Sequence, residues 1–259
     1  QELKETCIKA GIDYFTSPYD LEQISTLSKY VEAWKIGSGD ITWHEMIELL
    51  ARDGKPLLIA TGASTLEEVK LAMKIAGKYN KHLVLMQCNT NYTASLENFK
   101  HIHLNVLKIF RHEFPDVILG LSDHTSGHAT VLGAVALGAR VIEKHFTDDN
   151  NRIGPDHKFS MNPHSWKEMV LRTRELEMAL GSEEKFVAGN EQETVMLQRR
   201  AIRTKTSIAK GHVLTKDDMI MLRPIPVDGV PPYQIDRIVG KKVKRNIPAG
   251  DYVRIGDVE

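Results

Sequence analysis

Between Tyr14 and His145 the chain repeats one pattern six times: a short apolar run that ends in a polar or glycine-bearing tip. The runs are Tyr14–Pro18, Ala33–Asp40, Leu57–Ala60, Leu83–Met86, Val117–Leu121 and Arg140–Ile142. Helix-length stretches follow them at Leu21–Leu27, Ile41–Leu50, Phe99–Phe110 and Ser126–Leu137, and after Ser64, where Glu67 completes a capping box. A further helix is expected from His164 to Leu180. Such alternation builds parallel βα units, because the crossover is right-handed and returns each strand in the same direction. Runs that are apolar throughout belong to a sheet covered on both faces.

Two architectures suit this pattern, a (β/α)8 barrel and an open doubly wound sheet. The polar residues favour the barrel. Ser17, Lys35, Ser38, Thr61, Thr90, Ser122, His124 and His145 all fall at strand C-terminal ends. A barrel collects those ends around one mouth, whereas an open sheet spreads them along a line. No GxGxxG follows any strand. The expected fold class is therefore α/β, a TIM barrel over residues 1–181 with six βα units present. Closure needs eight strands. Gln1-Glu2-Leu3-Lys4-Glu5 also starts in a helical pattern without a cap, so we expect an N-terminally incomplete barrel from a longer protein.

Residues 182–199 read as a polar linker, with Phe186-Val187-Ala188-Gly189 a candidate for fixation by contacts. Residues 200–259 change character and contain an internal echo. Ile208, Gly211, Leu214 and Asp218 recur at the same spacing as Ile247, Gly250, Val253 and Asp257. Each copy reads as strand, tight turn and strand, so a small pseudo-symmetric β-domain is expected.

Lys plus Arg and Asp plus Glu both total 34, which leaves no basic excess for nucleic acid or an anionic membrane. No apolar run approaches the roughly 20 residues of a membrane span. Cys7 and Cys88 offer no disulfide framework and suit a reducing, cytoplasmic compartment.

The candidate chemistry gathers in Val117–Asp156. Ser122-Asp123-His124 and Glu143-Lys144-His145 end adjacent parallel strands, so both imidazoles emerge side by side. With Asp156 shortly after, they could hold a divalent metal, or each could merely cap its strand. Lys35 sits in an apolar strand before Ile36-Gly37-Ser38-Gly39, where its ammonium and the Ser38 hydroxyl could receive a phosphate or carboxylate. A lysine at the polar rim and a Schiff-base lysine are the alternatives. Asp40 could bind substrate hydroxyls or cap the helix after it. Thr90 and Tyr92, on the loop after a strand, sit where a barrel keeps specificity groups. Arg223 in the β-domain is an anion or carbonyl donor standing alone.

At this point the motifs resemble a known family. Gly120-Leu121-Ser122-Asp123-His124-Thr125, Glu143-Lys144-His145-Phe146-Thr147, Gly154-Pro155-Asp156, Lys35-Ile36-Gly37-Ser38-Gly39 and Ser17-Pro18 are similar to those of the sialic acid synthases. The resemblance covers essentially the whole chain, including a C-terminal SAF (antifreeze-like, β-clip) domain. It implies a TIM barrel that condenses phosphoenolpyruvate with an N-acetylmannosamine-type sugar. By resemblance, His124 and His145 hold a divalent metal, usually manganese with magnesium as the alternative. Lys35, Ser38 and Ser122 would bind phosphoenolpyruvate, with Ser17 among the matching residues. Asp156 and Asp40 would contact the sugar or the metal's water, and Tyr92 would line the sugar pocket. Arg223 matches an arginine that reaches the sugar's N-acyl group across a domain-swapped homodimer. A metal-site glutamate and a phosphate-binding lysine of the family lie on strands that this chain does not contain.

Departures concentrate on the sugar side. Ala60 stands where the family often has serine, Asp40 replaces its glutamate, and Cys88-Asn89-Thr90-Asn91-Tyr92-Thr93 departs from its Cys-Thr pattern. Arg223 is followed by Pro224-Ile225-Pro226 instead of Pro-Gly. A 2,4-diacetamido-trideoxyhexose is therefore an alternative substrate. The competing functions are a metal-dependent aldolase or hydrolase on the same barrel, and a sugar-binding scaffold without turnover.

Overall fold

The computed structural model describes all 259 residues. The chain forms two compact units, Gln1–Gly181 and Ser182–Glu259.

In the first unit, helices α1 (Glu2–Ala10) and α2 (Leu21–Ser28) precede strand β1 (Trp34–Ile36). Then come α3 (His44–Arg52), β2 (Leu57–Ala60), α4 (Leu66–Gly77), β3 (Leu83–Cys88), α5 (Val106–Glu113), β4 (Ile118–Asp123), α6 (Ala129–Ala136), β5 (Val141–Lys144) and α7 (Pro163–Leu180). The five strands are all parallel and lie in the order β1-β2-β3-β4-β5. Each new strand joins the same edge, which is the winding of a barrel wall; a doubly wound sheet reverses direction at a switch point.

Burial follows the two-residue period of the strands. Trp34, Ile36, Leu57, Ile59, Leu83 and Leu85 face the helices and belong to the large apolar core. Leu58, Val84 and Met86 face the other way, into a smaller cluster with Ala33 and Val141. Along that inner face Met86 pairs with Gly120 and Gly120 with Val141. A β-carbon on Gly120 would stand 2.8 Å from the Val141 carbonyl oxygen and 2.9 Å from Met86 Cγ, so only glycine leaves room for that methionine.

Several expectations need correction. Tyr14–Pro18 forms no named strand, only a parallel bridge from Thr16 to Trp34. The expected helix Phe99–Phe110 is a 3-10 segment, Leu96–His101, followed by α5, with His103 in a left-handed conformation between them (φ 48°). The capping box of α4 is made by Thr65 and Glu68, one residue later than Ser64 and Glu67. Ser64 instead donates its hydroxyl to the Thr61 carbonyl at 2.7 Å. Asp40 does not cap α3, whose N-cap is Trp43 without a side-chain bond.

The second unit contains helix α8 (Gln192–Gln198) inside the stretch read as linker, then β6 (Ala201–Thr204) antiparallel to β7 (Met219–Leu222). The two echoed segments meet at an antiparallel bridge between Ile208 and Ile247, which exchange backbone bonds of 2.8 and 2.9 Å. Gly211 and Gly250 take equivalent turns at φ 87° and 79°, and Asp218 and Asp257 each cap a 3-10 turn. Ile202, Leu214, Ile238, Ile247 and Val253 form this unit's own core.

Candidate active site

Strand register explains how the site assembles. Cys88 pairs with Ser122 and Ser122 with Glu143, and Asp123 with Lys144. Side chains alternate, so Ser122 and His124 share the inner face with Glu143 and His145, while Asp123 and Lys144 point toward the helices. Lys35, paired with Leu58 of the inner cluster, joins the same face.

These residues line a cavity of about 450 Å³. Its walls include Ser17, Lys35, Ser38, Tyr92, Ser122, His124, His145 and Asp156, brought together from six separate stretches of chain. Tyr19 and Glu143 also line it and were given no role from the sequence. Thr90 lies just behind Ser38: a β-carbon on Gly62 would fall 1.9 Å from Thr90 Oγ1 and 2.8 Å from Ser38 Oγ. Gly62 is therefore a residue that sequence reasoning missed, although its place in the Thr61-Gly62 tip was the available signal. Its N–H donates to Ser38 Oγ at 2.9 Å. Asp40 sits on the short 3-10 turn Ser38–Asp40, beside the cavity and outside its lining. Arg223 belongs to the second unit, where its Nε donates to the Gln198 carbonyl.

The two imidazoles stand with ring centroids 5.1 Å apart. His124 Nδ1 is 2.8 Å from the Asn89 carbonyl oxygen. A carbonyl only accepts, so Nδ1 carries the proton and Nε2 keeps its lone pair. His145 Nδ1 lies 3.5 Å from Asp156 Oδ2. Tyr92 packs on His124 with centroids 4.3 Å apart, and buried Phe159 stands 5.1 Å from His145. Burial alone disfavours an imidazolium at His124, but Cys88 and the Asn89 carbonyl raise it above its ordinary pKa. Burial, with His124 nearby, holds His145 below the usual value. Burial would push the Cys88 thiol up, yet hydrogen bonding to His124 and Ser38 brings it below its ordinary value.

Lys35 Nζ lies 3.1 Å from Glu143 Oε2, with only 13% of the lysine side chain exposed. That contact is off the line of a hydrogen bond, and Glu143 Oε2, Asn89 Oδ1 and Thr90 Oγ1 are buried without a hydrogen-bond partner in the protein. Of these, only Glu143 lines the cavity, and an orphaned carboxylate oxygen there suits a site that meets a polar ligand. For a metal, the chemistry of the donors fits: two imidazoles, one whose Nδ1–H is held by a backbone carbonyl so that Nε2 is free, and a carboxylate beside the other. The count is smaller than a full protein shell, since no group of three or more His, Cys, Asp or Glu is arranged around one point. A larger groove of about 760 Å³ in the second unit is lined by Arg199, Arg200, Asp228 and Tyr233 but holds no histidine, cysteine or lysine.

Known proteins match the chain along nearly all of its length. Residues 1–185 match the NeuB family, and residues 199–259 match the SAF domain. The chain belongs to the NeuB family. It is 37% identical to an N,N'-diacetyllegionaminic acid synthase of Legionella pneumophila, over 96% of this chain and 70% of that protein. It is 31% identical to the N-acetylneuraminate-9-phosphate synthase of Homo sapiens, over 98% of this chain and 70% of that one. Among solved structures, an N-acetylneuraminic acid synthetase of Leptospira borgpetersenii in complex with citrate superposes with a TM-score of 0.69 at 28% identity. That match covers 75% of this chain and 67% of the other. As a NeuB member the chain is a barrel-type α/β protein with an SAF domain, and no helix is long and apolar enough to cross a membrane.

Proposed function

We propose that this chain carries the active site of a transferase that condenses phosphoenolpyruvate with an N-acetylmannosamine-type amino sugar, giving a nonulosonic acid and phosphate. The observation that carries this reading is the shared cavity in which Lys35, Ser38 and Ser122 face the paired imidazoles of His124 and His145. An enol phosphate bears two anionic groups close together, and a lysine flanked by hydroxyls is suited to fix them. Lys35 would exchange its off-line contact with Glu143 for a substrate oxygen, and the unpartnered Thr90 hydroxyl would add a donor.

C3 of phosphoenolpyruvate adds to the sugar's aldehyde carbon, whose oxygen takes a proton; water adds at C2; the C2–O bond then breaks and releases phosphate. His124 and His145 would hold a divalent cation, manganese or magnesium, which when bound would supply Lewis-acid polarisation of the aldehyde. His145, kept neutral by burial, has Asp156 beside it to orient the ring and to accept hydrogen bonds from sugar hydroxyls. Tyr92, half-exposed over the imidazoles, walls the sugar side, with Asp40 and Ser17 at the rim. Relatives that act toward legionaminic and neuraminic products support a synthase without choosing the sugar. The replacements at Ala60 and Asp40 favour a 2,4-diacetamido sugar as the first alternative to test.

Arg223 would serve the sugar's N-acyl group across a domain-swapped homodimer. The exposure of Arg223 and of Val227 and Tyr233 in the same unit supports a surface open to a partner. Two free thiols support a reducing, cytoplasmic compartment.

The test is phosphate release from phosphoenolpyruvate by the full-length protein, with a panel of N-acylated mannose-type sugars, with and without manganese, and product masses recorded. Release that needs both a sugar and the metal is expected. Sugar binding with no turnover under any condition would instead identify a scaffold, and turnover indifferent to chelation would remove the metal from the reading.

A further inference from the structure

The geometry points to Asp123 and Lys144 as a positioning pair: a buried ionic strut that sets the two histidines of the site side by side. Each member sits one residue before its histidine, Asp123 before His124 on β4 and Lys144 before His145 on β5. Their side chains turn away from the cavity's inner face and are 0% and 1% exposed. Every donor of the ammonium is used. Lys144 Nζ donates to Asp123 Oδ2 at 2.7 Å, to the Thr125 carbonyl at 2.6 Å and to the Gly127 carbonyl at 2.9 Å. Asp123 in turn accepts from the Thr125 N–H at 3.1 Å, from the Thr125 hydroxyl at 2.9 Å and from the Thr130 hydroxyl at 2.6 Å. One charge pair thus ties together β4, β5, the loop after His124 and the first turn of α6.

Stability alone does not call for this arrangement. A buried ion pair gives little net stabilisation over a well-packed apolar pair of the same volume, because desolvation offsets the attraction. What the ionic version adds is direction. Six directional hydrogen bonds accept one alignment of β4 against β5, whereas an apolar pair tolerates sliding and rotation. A slip of one residue would turn a histidine from the inner face to the helix side. The rings 5.1 Å apart depend on that alignment.

The experiment compares three variants, Lys144→Met, the double change Asp123→Leu with Lys144→Met, and Thr130→Val. It reads thermal midpoint, the ring-nitrogen NMR signals of His124 and His145 in the metal-free protein, and steady-state kinetics with phosphoenolpyruvate. Lys144→Met alone leaves an uncompensated buried carboxylate, so a large drop in midpoint is expected. The apolar double variant should recover most of that drop. Its His124 Nδ1–H signal should nevertheless lose the single sharp position set by the Asn89 carbonyl, and kcat should fall about 100-fold with KM changed much less. Should the double variant not fold, Thr130→Val, which removes one hydroxyl donor at nearly constant volume, carries the test and should shift the same ring signals. Wild-type ring spectra in a folded double variant, or in Thr130→Val where the double variant fails, would overturn the proposal. Only the kinetic arm rests on the synthase reading; if the unaltered protein consumes no phosphoenolpyruvate, that reading falls while the ring signals still decide the strut.

Discussion

Lys35 shows how far a single residue can be read. An ammonium in an apolar strand must meet an anion, and the structure supplies Glu143 at 3.1 Å beside two serine hydroxyls of the same cavity. Lys35→Met keeps the strand apolar and removes the charge. We expect at least about a tenfold weaker phosphoenolpyruvate binding by titration calorimetry, with sugar binding changed less. A larger loss on the sugar side would reverse the assignment. Gly62 makes a second residue-level case. Its missing side chain is the space held by Thr90 Oγ1 and Ser38 Oγ, so Gly62→Ala must displace both hydroxyls. The expected result is a raised KM for phosphoenolpyruvate with the circular dichroism spectrum unchanged; an unchanged KM would remove both hydroxyls from the binding site. The Thr61-Gly62 tip marked a turn, but not its purpose, because what Gly62 makes room for comes from the β1 and β3 tips, 24 and more residues away.

At the scale of elements, periodicity and caps were legible in kind and misplaced in detail. The run Ser64-Thr65-Leu66-Glu67-Glu68 contains two overlapping capping boxes, and local chemistry cannot choose between them. The choice fell to Thr65 once Ser64 found the Thr61 carbonyl. On β4, Gly120 has no local sequence rationale; it is explained by Met86 on the next strand. Gly120→Ala should destabilise the first unit by about 1–3 kcal/mol in urea unfolding, through overpacking against Met86 and the Val141 carbonyl. In the second unit, Asp218 accepts from His212 Nε2 at 2.9 Å and from both the N–H and hydroxyl of Thr215 at 2.8 Å. The His212 bond, helped by the Thr215 donors, lowers its carboxyl to about 2. A depressed folded-state pKa adds stability above the unfolded value of 3.8 and loses it as pH falls through about 2. The second unit's thermal midpoint should therefore drop more steeply over that acid window in the wild type than in Asp218→Asn. Parallel curves would show that the carboxylate contributes nothing there.

For the whole molecule, the question is whether one active site draws on two chains. If Arg223 acts across a homodimer, His124→Ala and Arg223→Ala damage different parts of the same site. Each should be nearly inactive alone. Mixed and re-associated in equal amounts, they should recover about a quarter of wild-type phosphate release, since half the random dimers hold one intact site of two. No recovery in a mixture shown to exchange subunits would place Arg223 outside the partner's site.

The amino-acid order by itself determined the architecture and the face that carries chemistry. Apolar runs closed by polar tips and followed by helices can only make parallel strands, and parallel strands put their tips at one end. Because strand side chains alternate, Ser122-Asp123-His124 and Glu143-Lys144-His145 send both histidines to the same face in the register that pairs Ser122 with Glu143. Tertiary structure decided what alternation cannot: which register the strands adopt, that Asp123 and Lys144 meet beneath the site, that Glu143 stands against Lys35, and that a glycine leaves space for two hydroxyls. Those are contacts between residues far apart in the chain, and their distances are set by packing, which no local pattern encodes.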